Sequence, residues 1–351
     1  MSMVPLKSNP NSKIRQSANQ ANRRMESGGM KSSKTNDHPL RKSLVDWYDA
    51  EKRDLPWRRT NDPWLILLSE VILQQTQVSR GIEYWKKISN RFPTPKALAE
   101  ADQEELLTLW QGAGYYARAR RLHALAMQVS KPATEGGFDG SIPESIEQLL
   151  ELPGIGAYTA AAVASIAFGL PVGVVDGNVR RVASRQTGNP SPTHDSVSVW
   201  ANSMLIPDRP GDSNQAMMEL GAVICKPKAP KCELCPISNS CEGKENPLVY
   251  PTPTKRKKTI ENLDAAVLLD SAGWPRLSRR ESSERFGGMW GPPMRDIMTD
   301  SLTPVGEIVH HLTHRELRVK VWSGQCSKGI DPSTVPISNL DRKILEIAGV
   351  M

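Results

Sequence analysis

The chain has 351 residues, 38% hydrophobic and 24% charged, with a formal net charge of +7. Its length suits two domains of ordinary size, its composition is that of a soluble globular protein, and no apolar run approaches the ~18 residues of a membrane span. Most of the net charge comes from residues 1–38, so any basic surface on the body is local patterning rather than bulk charge.

Residues 1–38 are rich in Ser, Asn, Lys and Arg, have almost nothing to bury, and are expected to form a disordered basic tail. They hold no apolar segment of the kind a secretory signal needs; a transit segment or a loose DNA-clinging arm would share the composition. From about Pro39 to Cys225 the texture is helical. The stretch PWLILLSEVILQQTQV is apolar nearly all round, which predicts a buried helix. Within it, Glu70 has Ile66, Leu67, Leu73 and Gln74 three and four positions away. Mostly apolar neighbours predict a desolvated carboxyl biased toward its protonated form, suited to donating a proton. A glutamate at a helix edge, reaching water, fits the same pattern. WQGAGYYARARR then sets two glycines before paired tyrosines, followed by Arg118, Arg120 and Arg121. Such a turn would present an aromatic wedge and phosphate-gripping arginines to a DNA stack; a helix start with core tyrosines and a solvated basic face reads alike.

SIEQLLEL and TAAAVASIAF predict two helices flanking LPGIGAYT. Glycines at 154 and 156 permit a tight turn and leave N–H groups bare at a helix N-terminus, where a DNA phosphate can bind without any lysine. An ordinary turn between helices is the plainer alternative. VVDGNVRR places Asp176 and Asn178 in the next turn. Asp176 would cap the following helix, or would stabilise the oxocarbenium charge that develops when an N-glycosidic bond breaks.

Cys225, Cys232, Cys235 and Cys241 stand as C-x6-C-x2-C-x5-C. Four thiolates suit one metal centre, zinc or [4Fe–4S], and their crowding points to a reducing compartment. Lys226, Lys228 and Lys231 in the first loop would offer positive charge to phosphates. Residues 246–262 carry proline punctuation and a basic run and read as an interdomain linker. Beyond them DAAVLLD, WPRLSRR and ELRVKVWSG are short and strand-like, and DRKILEIAG predicts a closing helix. Residues 263–351 are therefore expected to be a small mixed α/β domain. No internal repeat is present.

The ordered set LSEVILQQT, GAGYYARAR, LPGIGAYTA, VVDGNVRR and C-x6-C-x2-C-x5-C resembles the helix-hairpin-helix DNA glycosylases of the endonuclease III superfamily, and within it the MutY-type adenine glycosylases, from about Pro39 to the end of the chain. The resemblance implies a mainly α catalytic domain over 39–245 with a [4Fe–4S] cluster on the four cysteines, followed by a Nudix-like domain that recognises 8-oxoguanine. It implies a cytoplasmic monomer without membrane association, acting on double-stranded DNA and removing adenine flipped from opposite 8-oxoguanine or guanine. In that likeness Glu70 protonates adenine at N7, Asp176 stabilises the sugar cation and Asn178 orients Asp176. Arg53, Trp57 and Arg58 of RDLPWR line the adenine pocket, with Glu219 beside it. Gln75, Thr76 and Tyr115 match residues that fill the stack, and Leu152, Gly154 and Gly156 match the DNA-gripping hairpin.

Leu312, Thr313 and His314 match a recognition turn that usually reads Phe-Ser-His, so leucine implies weaker stacking there. Two further departures are Ala113, where the family has leucine, and GMWGPP, where it has Trp-Glu-Phe-Pro. No glutamate run like that of a Nudix pyrophosphatase helix is present, so no hydrolase activity is expected of that domain. Relatives that also cut the strand carry a lysine where this chain has Tyr158, which implies base removal alone, leaving an abasic site. Two other functions fit parts of the sequence: a bifunctional endonuclease III-type glycosylase/lyase, which Tyr158 opposes, and an inactive lesion-binding protein of the same fold, which leaves Glu70 and Asp176 without a purpose. A zinc-binding interaction module leaves both the carboxylates and the hairpin unexplained.

Overall fold

The computed structural model describes residues 39–253, 258–294 and 297–351; the expected tail at 1–38 and the basic run at 254–257 lie outside the described residues. Among the described residues the first helix, α1, is Pro39–Glu51. Helix α2, Pro63–Leu73, starts where the Asp62 side chain accepts from the Trp64 and Leu65 N–H groups and Pro63 takes the first position. It ends at Leu73, short of the stretch expected to be helical, because Gln75 adopts a left-handed backbone (φ +59°). The chain re-enters a helix as α3, Val78–Arg91, followed by short α4 (Pro95–Ala99) and α5 (Gln103–Leu109). Then come α6 (Ala117–Ser130), α7 (Ile146–Glu151), α8 (Ala157–Phe168), α9 (Gly177–Gln186), α10 (His194–Ser203) and α11 (Pro210–Val223).

These helices build two cores. Trp64, Leu67, Trp110, Leu122, Leu149 and Val163 belong to one, and Leu44, Tyr48, Val182, Met217 and Leu220 to the other. Each fully buried aliphatic side chain contributes ~1.5–3 kcal/mol relative to exposure, so each lobe has its own apolar anchor. Between them runs a thin seam of Ala161, Ala162 and Val174, with Tyr158 and Met218 packed against it. The alanine run of α8 thus lets the lobes approach closely, and the site lies along this join.

The C-terminal region holds β1 (Thr259–Leu269), β2 (Ser278–Arg279), β3 (Trp290–Gly291), β4 (Thr303–His311), β5 (Arg315–Gln325) and α12 (Asn339–Ile347). The main sheet has the order β1-β5-β4, with β1 parallel and β4 antiparallel to β5. β1 begins inside the stretch read as linker. The front of that stretch is fastened to the helical lobes: the Arg185 Nε donates to the carbonyls of Pro247 (2.8 Å) and Tyr250 (3.2 Å), and the Thr252 N–H to Pro190 (2.8 Å). The GMWGPP departure also has a place. Met289 is fully buried in the first helical core, Phe286 packs on both that core and the sheet's, and the Trp290 Nε1 donates to Glu104 (3.0 Å). That segment plugs the C-terminal region into the helices.

Candidate active site

Glu70 on α2 is 7% exposed, and its Oε2 accepts a 2.6 Å hydrogen bond from the Tyr158 hydroxyl of α8. Burial pushes its carboxyl up to about 7, helped by the charge of Asp176 and opposed by Tyr158 and Arg58. Tyr158 is held well above the ordinary phenol value, by burial first and then by Glu70, so it remains a donor. Its hydroxyl also touches the Met218 Sδ (3.5 Å).

Asp176 caps α9. Its Oδ1 accepts from the Val179 N–H (2.6 Å) and its Oδ2 from the Asn178 Nδ2 (2.9 Å). Capping and a role beside a sugar are compatible, because the cap fixes the carboxylate across the seam from Glu70. Burial raises its pKa above the usual carboxylate value despite those hydrogen bonds. Asn178 is held in turn: its Oδ1 accepts from the Arg181 Nη2 (2.9 Å), and Arg181 also donates to the carbonyls of Gly221 (2.7 Å) and Cys225 (2.7 Å).

The expected adenine-pocket residues also converge. Glu219, 1% exposed on α11, accepts from the Arg53 Nε (2.6 Å) and Nη2 (2.7 Å) and from the Arg58 Nη2 (2.8 Å). Burial opposes its ionisation, but the two guanidinium groups outweigh burial and hold the carboxyl down at about 2. Arg58 also reaches the Gln215 Oε1 (3.2 Å) and lies over the Tyr48 ring. Trp57 is buried, edge-on to Trp85 at 6.2 Å between ring centroids.

Cys225, Cys232, Cys235 and Cys241 all line one small cavity of about 20 Å³. The buried Arg185 donates to the Cys225 Sγ (3.2 Å) and to the carbonyls of Lys226 (2.8 Å) and Pro227 (3.3 Å). Among the described residues no three His, Cys, Asp or Glu side chains close on a single metal-ion position. Lys226, Lys228 and Lys231 are exposed on the loop.

The hairpin between α7 and α8 has Gly154 at φ +82°, where a Cβ would come within 2.9 Å of the Arg121 Cβ. Gly156 differs: a Cβ there would meet nothing, and no side chain caps the α8 N-terminus it opens. Its bareness matters only toward something arriving from outside. Leu152 is a core residue, so its side chain is not part of that surface. The arginines after the wedge turn are a correction. Arg118 is buried on backbone carbonyls, and Arg120 donates to the carbonyls of Ser282 (3.0 Å) and Gly287; of the three, Arg121 alone is exposed.

Gln75, Tyr115 and Thr313 meet. The Tyr115 and Thr313 hydroxyls are hydrogen-bonded, and Thr313 donates to the Gln75 Oε1 (3.4 Å). They open on a cleft of about 590 Å³ between helical and C-terminal regions, also lined by Leu312 and His314. These two and Thr313 form the turn of the β4–β5 hairpin; Thr76 sits behind it, its Oγ1 accepting from Arg118 (3.3 Å). Sequence reasoning missed Gln215, Met218, Arg181 and Arg185. Arg181 stood inside the quoted VVDGNVRR, and its spacing of three from Asn178 on one helix was the available signal.

Fold and site together have the form of the helix-hairpin-helix glycosylase fold. Residues 68–199 match the family described as HhH-GPD superfamily base excision DNA repair protein. The adenine DNA glycosylase of Mycolicibacterium smegmatis is 44% identical over 230 residues, covering 64% of this chain and 76% of that one. The human adenine DNA glycosylase is 46% identical over 219 residues, covering 59% of this chain and 39% of the human one. The chain belongs to the adenine DNA glycosylase family. It spans less than half the length of the human and rat relatives, at 39% and 41%. A thermostable thymine-DNA glycosylase superposes with a TM-score of 0.54 at 30% identity, over 59% of this chain and 97% of that one. A trapped endonuclease III–DNA covalent intermediate shares the fold, with a TM-score of 0.51 at 23% identity over 61% of this chain and 99% of that one.

Proposed function

We propose that the protein is a monofunctional adenine DNA glycosylase, acting as a monomer on double-stranded DNA in a reducing, cytoplasmic setting. Adenine paired with 8-oxoguanine or guanine is flipped into the seam, and its glycosidic bond is hydrolysed. The observation that carries this reading is the buried Glu70, poised near neutrality beneath the Tyr158 hydroxyl with Asp176 across the join. Protonated Glu70 delivers its proton to N7 of the flipped base, which makes adenine a better leaving group. As the C1′–N9 bond breaks, ionised Asp176 stabilises the sugar cation. Water then adds at C1′, Glu70 takes up the proton it releases, and an abasic site remains. No amine stands at the Tyr158 position, so no Schiff base forms and the strand stays whole.

The C-terminal region is read as a Nudix-like domain that examines the opposite base through Thr313 and His314. Four thiol side chains around one cavity suit a [4Fe–4S] cluster or zinc by ligand type, and the likeness of the cysteine spacing to the family's iron–sulfur loop favours the cluster. Cys225, Cys232, Cys235 and Cys241 would hold it, and when bound it crosslinks the loop carrying the three lysines.

Single-turnover reactions on duplexes with A:8-oxoG, A:G or thymine glycol:A, analysed with and without alkali, test the assignment. Adenine-strand breaks only after alkali are expected. Breaks without alkali, or processing of thymine glycol alone, would overturn it.

A further inference from the structure

Arg118 was expected to face DNA, yet it is 8% exposed at the first turn of α6. Its Nη1 donates to the carbonyls of Val71 (2.9 Å) and Ile72 (2.7 Å), the last turn of α2. Its Nη2 donates to the carbonyls of Ala113 (3.3 Å) and Gly114 (3.1 Å) and to the Thr76 Oγ1 (3.3 Å). None of these partners is a carboxylate. Burial lowers the guanidinium pKa to about 10, which still leaves it charged at neutral pH. A buried cation without a counter-charge is costly, so its neighbours must offset that cost. The α2 C-terminus does so in part, because its orphan carbonyls and the negative end of the helix dipole both favour a cation.

The two segments joined by this fork share a feature. Gln75, just past α2, has φ +59°, and Tyr115, just past Gly114, has φ +49°. Non-glycine residues rarely adopt this conformation, and the surrounding structure must hold them there. Both are solvent-exposed and both reach Thr313. The Arg118 guanidinium lies 5.3 Å from the Trp110 ring centroid and 5.6 Å from that of Tyr115.

We propose that Arg118 is the positioning residue of the DNA-entering wedge, one buried fork that fixes Gln75 and Tyr115 at the spacing needed to fill the stack. The proposal rests on the reading of those two side chains as the ones that enter the duplex. The planar fork spans carbonyls on two segments at once, which a lysine ammonium on a flexible stem cannot do. A wedge is needed only where an opposite base must be held while adenine leaves; a gap requires none.

The test compares full-length wild type, Arg118→Lys and Arg118→Met in single-turnover adenine release from two duplexes. In one, adenine faces 8-oxoguanine; in the other it faces an abasic gap. Both variants should lose about 10- to 100-fold on the 8-oxoguanine duplex and stay within about threefold of wild type on the gapped one. In a Gln75→Ala, Tyr115→Ala background, Arg118→Lys should change little, because the wedge it positions is already gone. Equal losses on both duplexes, or an undiminished Arg118→Lys effect in that background, would show a general structural role and overturn the proposal. Wild-type rates in Arg118→Lys would also overturn it, by showing that a point charge suffices. Wild type releasing no adenine from either duplex would instead defeat the functional reading.

Discussion

The floor of the site and its arginine wall each bury one glutamate, and the two come out opposite. Glu70, 7% exposed, meets one phenol hydroxyl and the charge of Asp176, and its carboxyl rises to about 7. Glu219, 1% exposed, meets two guanidinium groups, and its carboxyl falls to about 2. Burial disfavours ionisation in both. Partners therefore decide the proton: one glutamate holds its proton up to about neutral pH, and the other is an anion that binds Arg53 and Arg58. Arg58 serves both, since it donates to Glu219 while its charge tempers Glu70.

The sharpest way to break this contrast is Glu70→Gln. Loss of the acid should lower the single-turnover rate about 10²- to 10⁴-fold. The same change should help the fold at alkaline pH. Glu70 is raised in the folded state, so the stability tied to its protonation is complete below its ordinary 4.5 and disappears as pH rises through about 7, by about 1.4 kcal/mol per unit between them. The melting temperature of Glu70→Gln relative to wild type should therefore be more favourable at pH 8 than at pH 5. An equal difference at both pH values would mean that Glu70 is ionised in the fold.

Glu219→Ala should do the reverse. Removing the anion strands two guanidinium groups, Arg58 mostly buried and Arg53 at 37% side-chain exposure. Breaking a buried pair costs ~3–5 kcal/mol, reduced here to ~2–3 because Arg53 remains partly solvated. Urea denaturation at neutral pH measures this. In wild type the contribution holds above the ordinary 4.5 and fades as pH falls toward about 2. A variant with unchanged stability at neutral pH would make the arginine wall self-supporting.

Legibility in the sequence follows the same division. Glu70 was readable because helical spacing reports its neighbours, and its apolar surroundings foretold the raised pKa. Asp176 was readable as a cap because Gly-Asn followed it. Arg118 was not, since the carbonyls it holds come from α2 and from its own turn, and local sequence does not announce that convergence. β4 was also missed: TPVGEIVHH has proline as its second residue, carries a glycine and is largely exposed, so it lacks the alternation that made β5 visible. GMWGPP read as a family departure, and only the tertiary fold shows Met289 seated in the helical core.

The smallest expected effect tests how Tyr158 sets the contrast. With Glu70 as the acid, the release rate should fall about tenfold per pH unit above about 7. On the acid side it should fall as Asp176 gains its proton, above the ordinary carboxylate value. The Tyr158 hydroxyl favours ionised Glu70, so it keeps the alkaline limb lower than burial alone would place it. Tyr158→Phe removes that donor without adding a nucleophile, and the limb should move up by about one pH unit. A limb that stays in place would assign the falling rate to another group. A downward shift would mean that the phenol donates to neutral Glu70 in the reacting state, and that the floor differs from the arginine wall in how its donor is used as well as in how many donors it has.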